Sequence, residues 1–157
     1  MDATQVHLLT NHIPILGSIF GFVLLIAGMI MKNSTLEKTG LVTIVFVALM
    51  TIPVFLSGEE AEHAVENLQG VSEHELEEHE EHAELSLWIM MASGVLSLIS
   101  LITYYYAVHL RKMTRIAAAV VTFMGFITLI PLADHGGKIM HQELRENTSQ
   151  QQEKTDH

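Results

Sequence analysis

The chain has no cysteine. That absence excludes a disulfide framework, a thiolate metal site, a cysteine nucleophile and a covalently attached c-type haem, so any site must be built from His, Asp, Glu or backbone groups. Cations are scarce as well. Eight Lys and Arg against 18 Asp and Glu give a formal charge of -10, which leaves no basic groove for a phosphate backbone and so excludes a nucleic-acid partner. The opening residues, MDATQVHLLTNHIPILG, carry Asp2 where a secretory signal would carry Lys or Arg, so no cleaved signal peptide is expected. No Ser is set beside a base in a recognisable hydrolytic arrangement, and no residue is read as catalytic.

What is present is apolar sequence. Of 157 residues, 49% are hydrophobic, more than an ordinary soluble domain of this size carries. Four stretches, 13–31, 41–56, 85–108 and 116–133, contain no Lys, Arg, Asp or Glu, and a helix needs about 20 such residues to cross the hydrocarbon of a bilayer. Gly40, Ser57 and Gly58 extend the second stretch and Thr114 the fourth, giving expected spans at about 13–31, 40–58, 85–108 and 115–133. A soluble bundle would break each stretch with a charge every third or fourth residue. The expected fold is therefore all-α, a four-helix transmembrane bundle in the bilayer over residues 1–146, followed by a polar tail, 147–157, read as disordered. Gly17, Gly21, Gly28, Ser93 and Gly94 suit close helix packing in lipid. Pro14 belongs to a first turn, where a missing amide costs little, whereas Pro53 and Pro131 are expected to kink their helices. No span has an ionisable residue at its middle, which argues against a transport pathway.

Charge orients the bundle. The short connections KNSTLEKTG and HLRKMTR hold Lys32, Lys38, Arg111, Lys112 and Arg115, and Glu37 is the one acid on that side. The positive-inside rule places these connections in the cytoplasm, so that both termini and the loop 58–84 face the periplasm of a bacterial inner membrane. That loop has helical spacing. Glu59, Glu62, His63 and Glu66 recur at i, i+3, i+4 and i+7, Gly70 breaks the run, and Ser72 with Glu75 forms a capping-box pattern. Helices 2 and 3 are thus expected to project outward as an acidic hairpin.

Eight of the ten histidines fall on the outward side: His7, His12, His63, His74, His79, His82, His135 and His141. Imidazoles and carboxylates without thiolate suit zinc, iron, manganese or copper, and facing helices of a bundle place such ligands well. The candidate metal ligands are His12, Glu59, Glu62, His63, His79, His82, His135 and His141. A b-type haem held by two of the imidazoles is the other cofactor that would draw histidines from different helices. In PLADHGGKIMHQE, His135 and His141 flank a glycine pair that would let the backbone turn or approach a ligand. The run EHELEEHEEHAE is equally open to a bland reading as a solvated acidic face.

HIPILG, SGEEAEHAVE, EEHEEHAEL and HGGKIMHQE together resemble an uncharacterised family of four-span bacterial membrane proteins, some of which are fused to Rieske or c-type cytochrome modules. The resemblance implies a respiratory or redox setting with redox partner proteins, and by position it favours His12, His79 and His141, with Glu59 and Glu62, as the polar cluster. A periplasmic pH or metal-ion sensor, or a structural subunit of a larger complex, is the alternative. Since the chain has no native thiol, single-cysteine labelling tests the orientation. Ser72→Cys should label from outside intact spheroplasts and Ser34→Cys only after permeabilisation, and the opposite pattern would overturn the assignment.

Overall fold

In a computed structural model, His7, residues 9–65 and residues 73–140 are described, apart from the side chains of 64, 65, 73, 75, 135, 136 and 138–140. They form four long helices: α1 (His12–Met31), α2 (Ser34–Val65), α3 (Glu73–Tyr106) and α4 (Arg111–Met140). Gly70, Ser72, His141 and the tail 147–157 lie outside the described residues. No strand occurs among the described residues.

Each helix contains a stretch long and apolar enough to cross a membrane. Only 28–33% of each such stretch is buried within the bundle. The uncovered remainder is Leu, Ile, Val, Phe and Met, for example Phe20, Phe46, Ile102 and Phe123, a surface suited to lipid contact rather than to water. As the helical spacing of the acidic segment implies, α2 and α3 continue past their apolar spans. At about 1.5 Å per residue, α2 with 32 residues and α3 with 34 are longer than a hydrocarbon core of about 30 Å. Pro53 and Pro131 lie inside continuous helix. Gly136 and Gly137, read from the sequence as allowing a turn or a close approach to a ligand, are also helical, and α4 is described as far as Met140.

The connection between α1 and α2 is two residues long because it is fully capped. Lys32 adopts the left-handed conformation, φ 53°, and the Asn33 amide donates to the Gly28 carbonyl at 2.9 Å, which satisfies the end of α1 in the manner of a Schellman cap. Asn33 Oδ1 then accepts from the amides of Thr35 and Leu36 at 3.0 and 3.3 Å, which starts α2.

Consecutive helices pack in an antiparallel ring, α1 on α2, α2 on α3, α3 on α4 and α4 back on α1. Glycine and hydroxyl side chains decide how close they come. A Cβ added to Gly40 would lie 2.5 Å from the Leu25 amide nitrogen, and one added to Gly17 the same distance from Val47 Cγ2, so α1 and α2 touch backbone to backbone. Between α3 and α4 the contact is a seam of hydroxyls. Ser86 donates to Thr128 at 3.1 Å, Ser93 meets Thr122 at 2.6 Å, and Thr114 reaches both Ser100 and Thr103. In lipid no water can take over a bare hydroxyl, and most of these groups bond to each other or, as Thr39, Thr43 and Thr51 do, to carbonyls of their own helix, Ser97 Oγ being buried without a partner among the described residues. The apolar core forms two clusters, one around Leu25, Leu41 and Ile44, the other around Val47, Met90 and Leu129.

Gly40→Ala should therefore force α1 and α2 apart. A cost of about 1–3 kcal/mol, typical of overpacking, should appear as a lowered midpoint of thermal unfolding in detergent. An unchanged midpoint would mean that the close crossing does not carry stability.

Candidate functional site

At the end of the bundle where α1 and α4 begin and end opposite the capped connections, the chain before α1 brings His7 down onto α2. Its Nδ1 lies 3.2 Å from the Val54 carbonyl oxygen. A carbonyl can only accept, so Nδ1 carries the proton and the neutral ring has a bare Nε2. Ser57 Oγ, itself donating to the same carbonyl at 2.9 Å, stands 3.4 Å from Nδ1. Gly58 makes room for the ring: a Cβ there would lie 3.0 Å from His7 Cε1. Across from it stands His79 of α3, the two rings edge to face with centroids 6.5 Å apart. Burial pushes the His7 pKa below its usual 6.5, and the bond to Val54 opposes the shift only in part.

The residues singled out from the sequence are distributed unevenly around this pair. His79 is half-buried beside it. His12 opens α1 and is exposed, as are Glu59 and His63 on α2. Glu62 and His82 are half-buried, and His82 Nδ1 donates to the Glu78 carbonyl of its own helix at 2.7 Å. His135 lies in α4 with its side chain outside the description, and His141 lies outside it altogether. Glu62, His63, Glu78, His79, His82 and Asp134 all have polar, ring or electrostatic partners. Among the described residues, no group of three or more His, Asp or Glu is gathered closely enough to hold a metal ion. The surface pair His74–Glu78, 3.4 Å apart on one helix face, adds little, because exposed ion pairs are worth about 0–1 kcal/mol.

His7 was legible only as one of many histidines. Its seat depends on a carbonyl and a glycine 47 and more residues away, which no local pattern announces.

The opposite end holds a second polar cluster that the spacing did not reveal. Glu37, in the first turn of α2, is 4% exposed in its side chain and accepts from Arg115 Nη1 at 2.7 and 2.6 Å. Tyr104 of α3 donates its hydroxyl to the same carboxylate. Gly28 of α1 packs against the Glu37 backbone, so all four helices meet at Glu37, and α3 and α4 hold its carboxylate. The sequence did carry a signal for it: Glu37 is the only acid on the cation-rich side.

Comparison with family models, with curated proteins and with solved structures gives no match. The molecule is defined by its own features as a bundle of four helices able to span a membrane, with imidazoles at one end and a buried ion pair at the other.

Nitrogen NMR of the imidazoles should find His7 still neutral somewhat below pH 6.5. The sign for stability follows. Between the lowered folded value and 6.5 the unfolded chain binds more protons, so the contribution of this group is full above pH 6.5 and is lost as pH falls through the folded value. Gly58→Leu, which takes the ring's place, should return His7 toward 6.5, and titration at 6.5 in both proteins would show that the buried seat does not form.

Proposed function

We propose that the chain is a multi-pass protein of a bacterial inner membrane that binds a transition-metal ion through imidazoles at its periplasmic end and serves an electron-transfer or respiratory complex. The supporting observation is the pairing of His7 and His79, delivered from different parts of the chain to one spot. An ion bridging two imidazoles stands about 2 Å from each nitrogen, which holds the ring centroids roughly 5 to 6.5 Å apart, and the observed separation is 6.5 Å. The Nδ1–H of His7 is engaged by a backbone carbonyl, the arrangement that commonly orients a ligand histidine and leaves Nε2 for the metal. His12 at the start of α1 would supply a further donor and so would His141, which follows α4 in sequence, with Glu62 completing or orienting the set. The cation bias of the short connections favours the periplasmic orientation, and the lengths of α2 and α3 favour a hairpin standing above the bilayer.

The carboxylates Glu59, Glu62 and Glu78 on the neighbouring helix turns favour a bare ion over haem, since they would neutralise a divalent cation and have no part to play against a porphyrin face. A haem b bound by two of the imidazoles is the competing occupant. Crowded like charges destabilise, and an ion bound by the folded site would relieve them.

Elemental analysis and an optical spectrum of protein purified in mild detergent test the proposal together. A stoichiometric transition metal is expected, lost at least about tenfold in His79→Ala and in His7→Ala. Removal of the metal by a chelator should increase hydrogen exchange in the segment 59–84 and leave the spans helical. A Soret band would assign the site to haem. Absence of both metal and haem, with exchange indifferent to chelator, would make the histidines solvated surface.

A further inference from the structure

The carboxylate of Glu37 is spent on Arg115 and Tyr104, and among the described residues it is the only acid at that end of the bundle. Among the described residues, Lys32, Lys38, Arg111 and Lys112 have no ion-pair partner. Two of them are held in place. Lys38 Nζ stands 5.1 Å from the centroid of Tyr104 and 5.0 Å from that of Tyr105, and Arg111 Cζ stands 4.9 Å from the centroid of Tyr104. Cation–π contact of this kind orients an ammonium or guanidinium without neutralising it. Two cations thus share one aromatic ring, at 5.1 and 4.9 Å from its centroid. Arg115 beside them has its Nε buried and, among the described residues, without a hydrogen-bond acceptor. An oriented pair of cations and an unsatisfied guanidinium donor is a set of groups that lacks an anion.

The position of the cluster says which anion. It lies where α2, α3 and α4 emerge from their apolar stretches, and the residues around it are exposed and lipophilic: Tyr105, Tyr106, Leu110, Met113 and Ile116. A phosphate there would have apolar surface directly beneath it, as the headgroup of a lipid does. We propose that Lys38 and Arg111, positioned by Tyr104 and backed by Arg115, bind the phosphodiester headgroup of an anionic phospholipid. The cluster acts by charge and geometry together: each cation near an anionic headgroup favours it by about fivefold, and basic groups between helix ends are a recurring site for such lipids. Tyr105 and Tyr106, at the same level, would flank the glycerol and upper acyl chain, as interfacial aromatics do.

Electron spin resonance of spin-labelled lipids tests this with the full chain in phosphatidylcholine membranes. The wild-type protein should immobilise labelled phosphatidylglycerol in preference to labelled phosphatidylcholine. Lys38→Gln and Arg111→Gln should each weaken that preference about fivefold, whereas Lys32→Gln and Lys38→Arg should keep it. Circular dichroism confirms that the variants fold; should Lys38→Gln unfold, Arg111→Gln, which leaves α2 intact, carries the comparison. No preference in the wild type, or an equal loss in Lys32→Gln, would overturn the proposal in favour of diffuse surface charge. Displacement of the labelled lipid by millimolar inorganic phosphate would overturn it in favour of a site for free phosphate.

Discussion

Hydrocarbon offers no hydrogen bonds, and the rest of this structure follows from that constraint. Charges are confined to the two ends of the helices, and the one carboxylate buried among the described residues, Glu37, is held by Arg115 and Tyr104 from two other helices. A buried charge deprived of its partner is far more costly than a pair that was never made. The triad is thus less a source of net stability than a constraint on register: once Glu37 has folded inward, α3 and α4 must present Tyr104 and Arg115 at its height.

The same constraint shapes the helix contacts. Apolar side chains gain little by leaving lipid for a neighbouring helix, so association rests on close approach and on polar groups paired across the interface. Glycine serves the first need between α1 and α2, where Gly40 meets the Leu25 backbone. Hydroxyls serve the second between α3 and α4, where Ser86, Ser93 and Ser100 find Thr128, Thr122 and Thr114. A bundle fastened in this way is a firm base from which α2 and α3 can carry carboxylates and imidazoles beyond the apolar region.

The two ends then offer opposite chemistry. One brings the imidazoles of His7 and His79 together; the other sets Lys38 and Arg111 over tyrosine rings.

Sequence by itself determined the helix count, the apolar character of each helix and the separation of acids from bases, because each of these is a local or summed property: a run without charge is long enough to span or it is not. It also marked where glycine and serine would permit close packing. The continuation of α2 and α3 past their apolar runs was legible in the helical spacing of their acidic residues, whereas the helical course of α4 through Gly136 and Gly137 was not. Which polar residues meet was decided by tertiary structure alone. The seat of His7 is a carbonyl and a glycine of α2, and the partners of Glu37 come from α3 and α4. Such pairings depend on the rotation and height of each helix against the others, quantities fixed by the summed packing of the whole interface and not by spacing within any one segment.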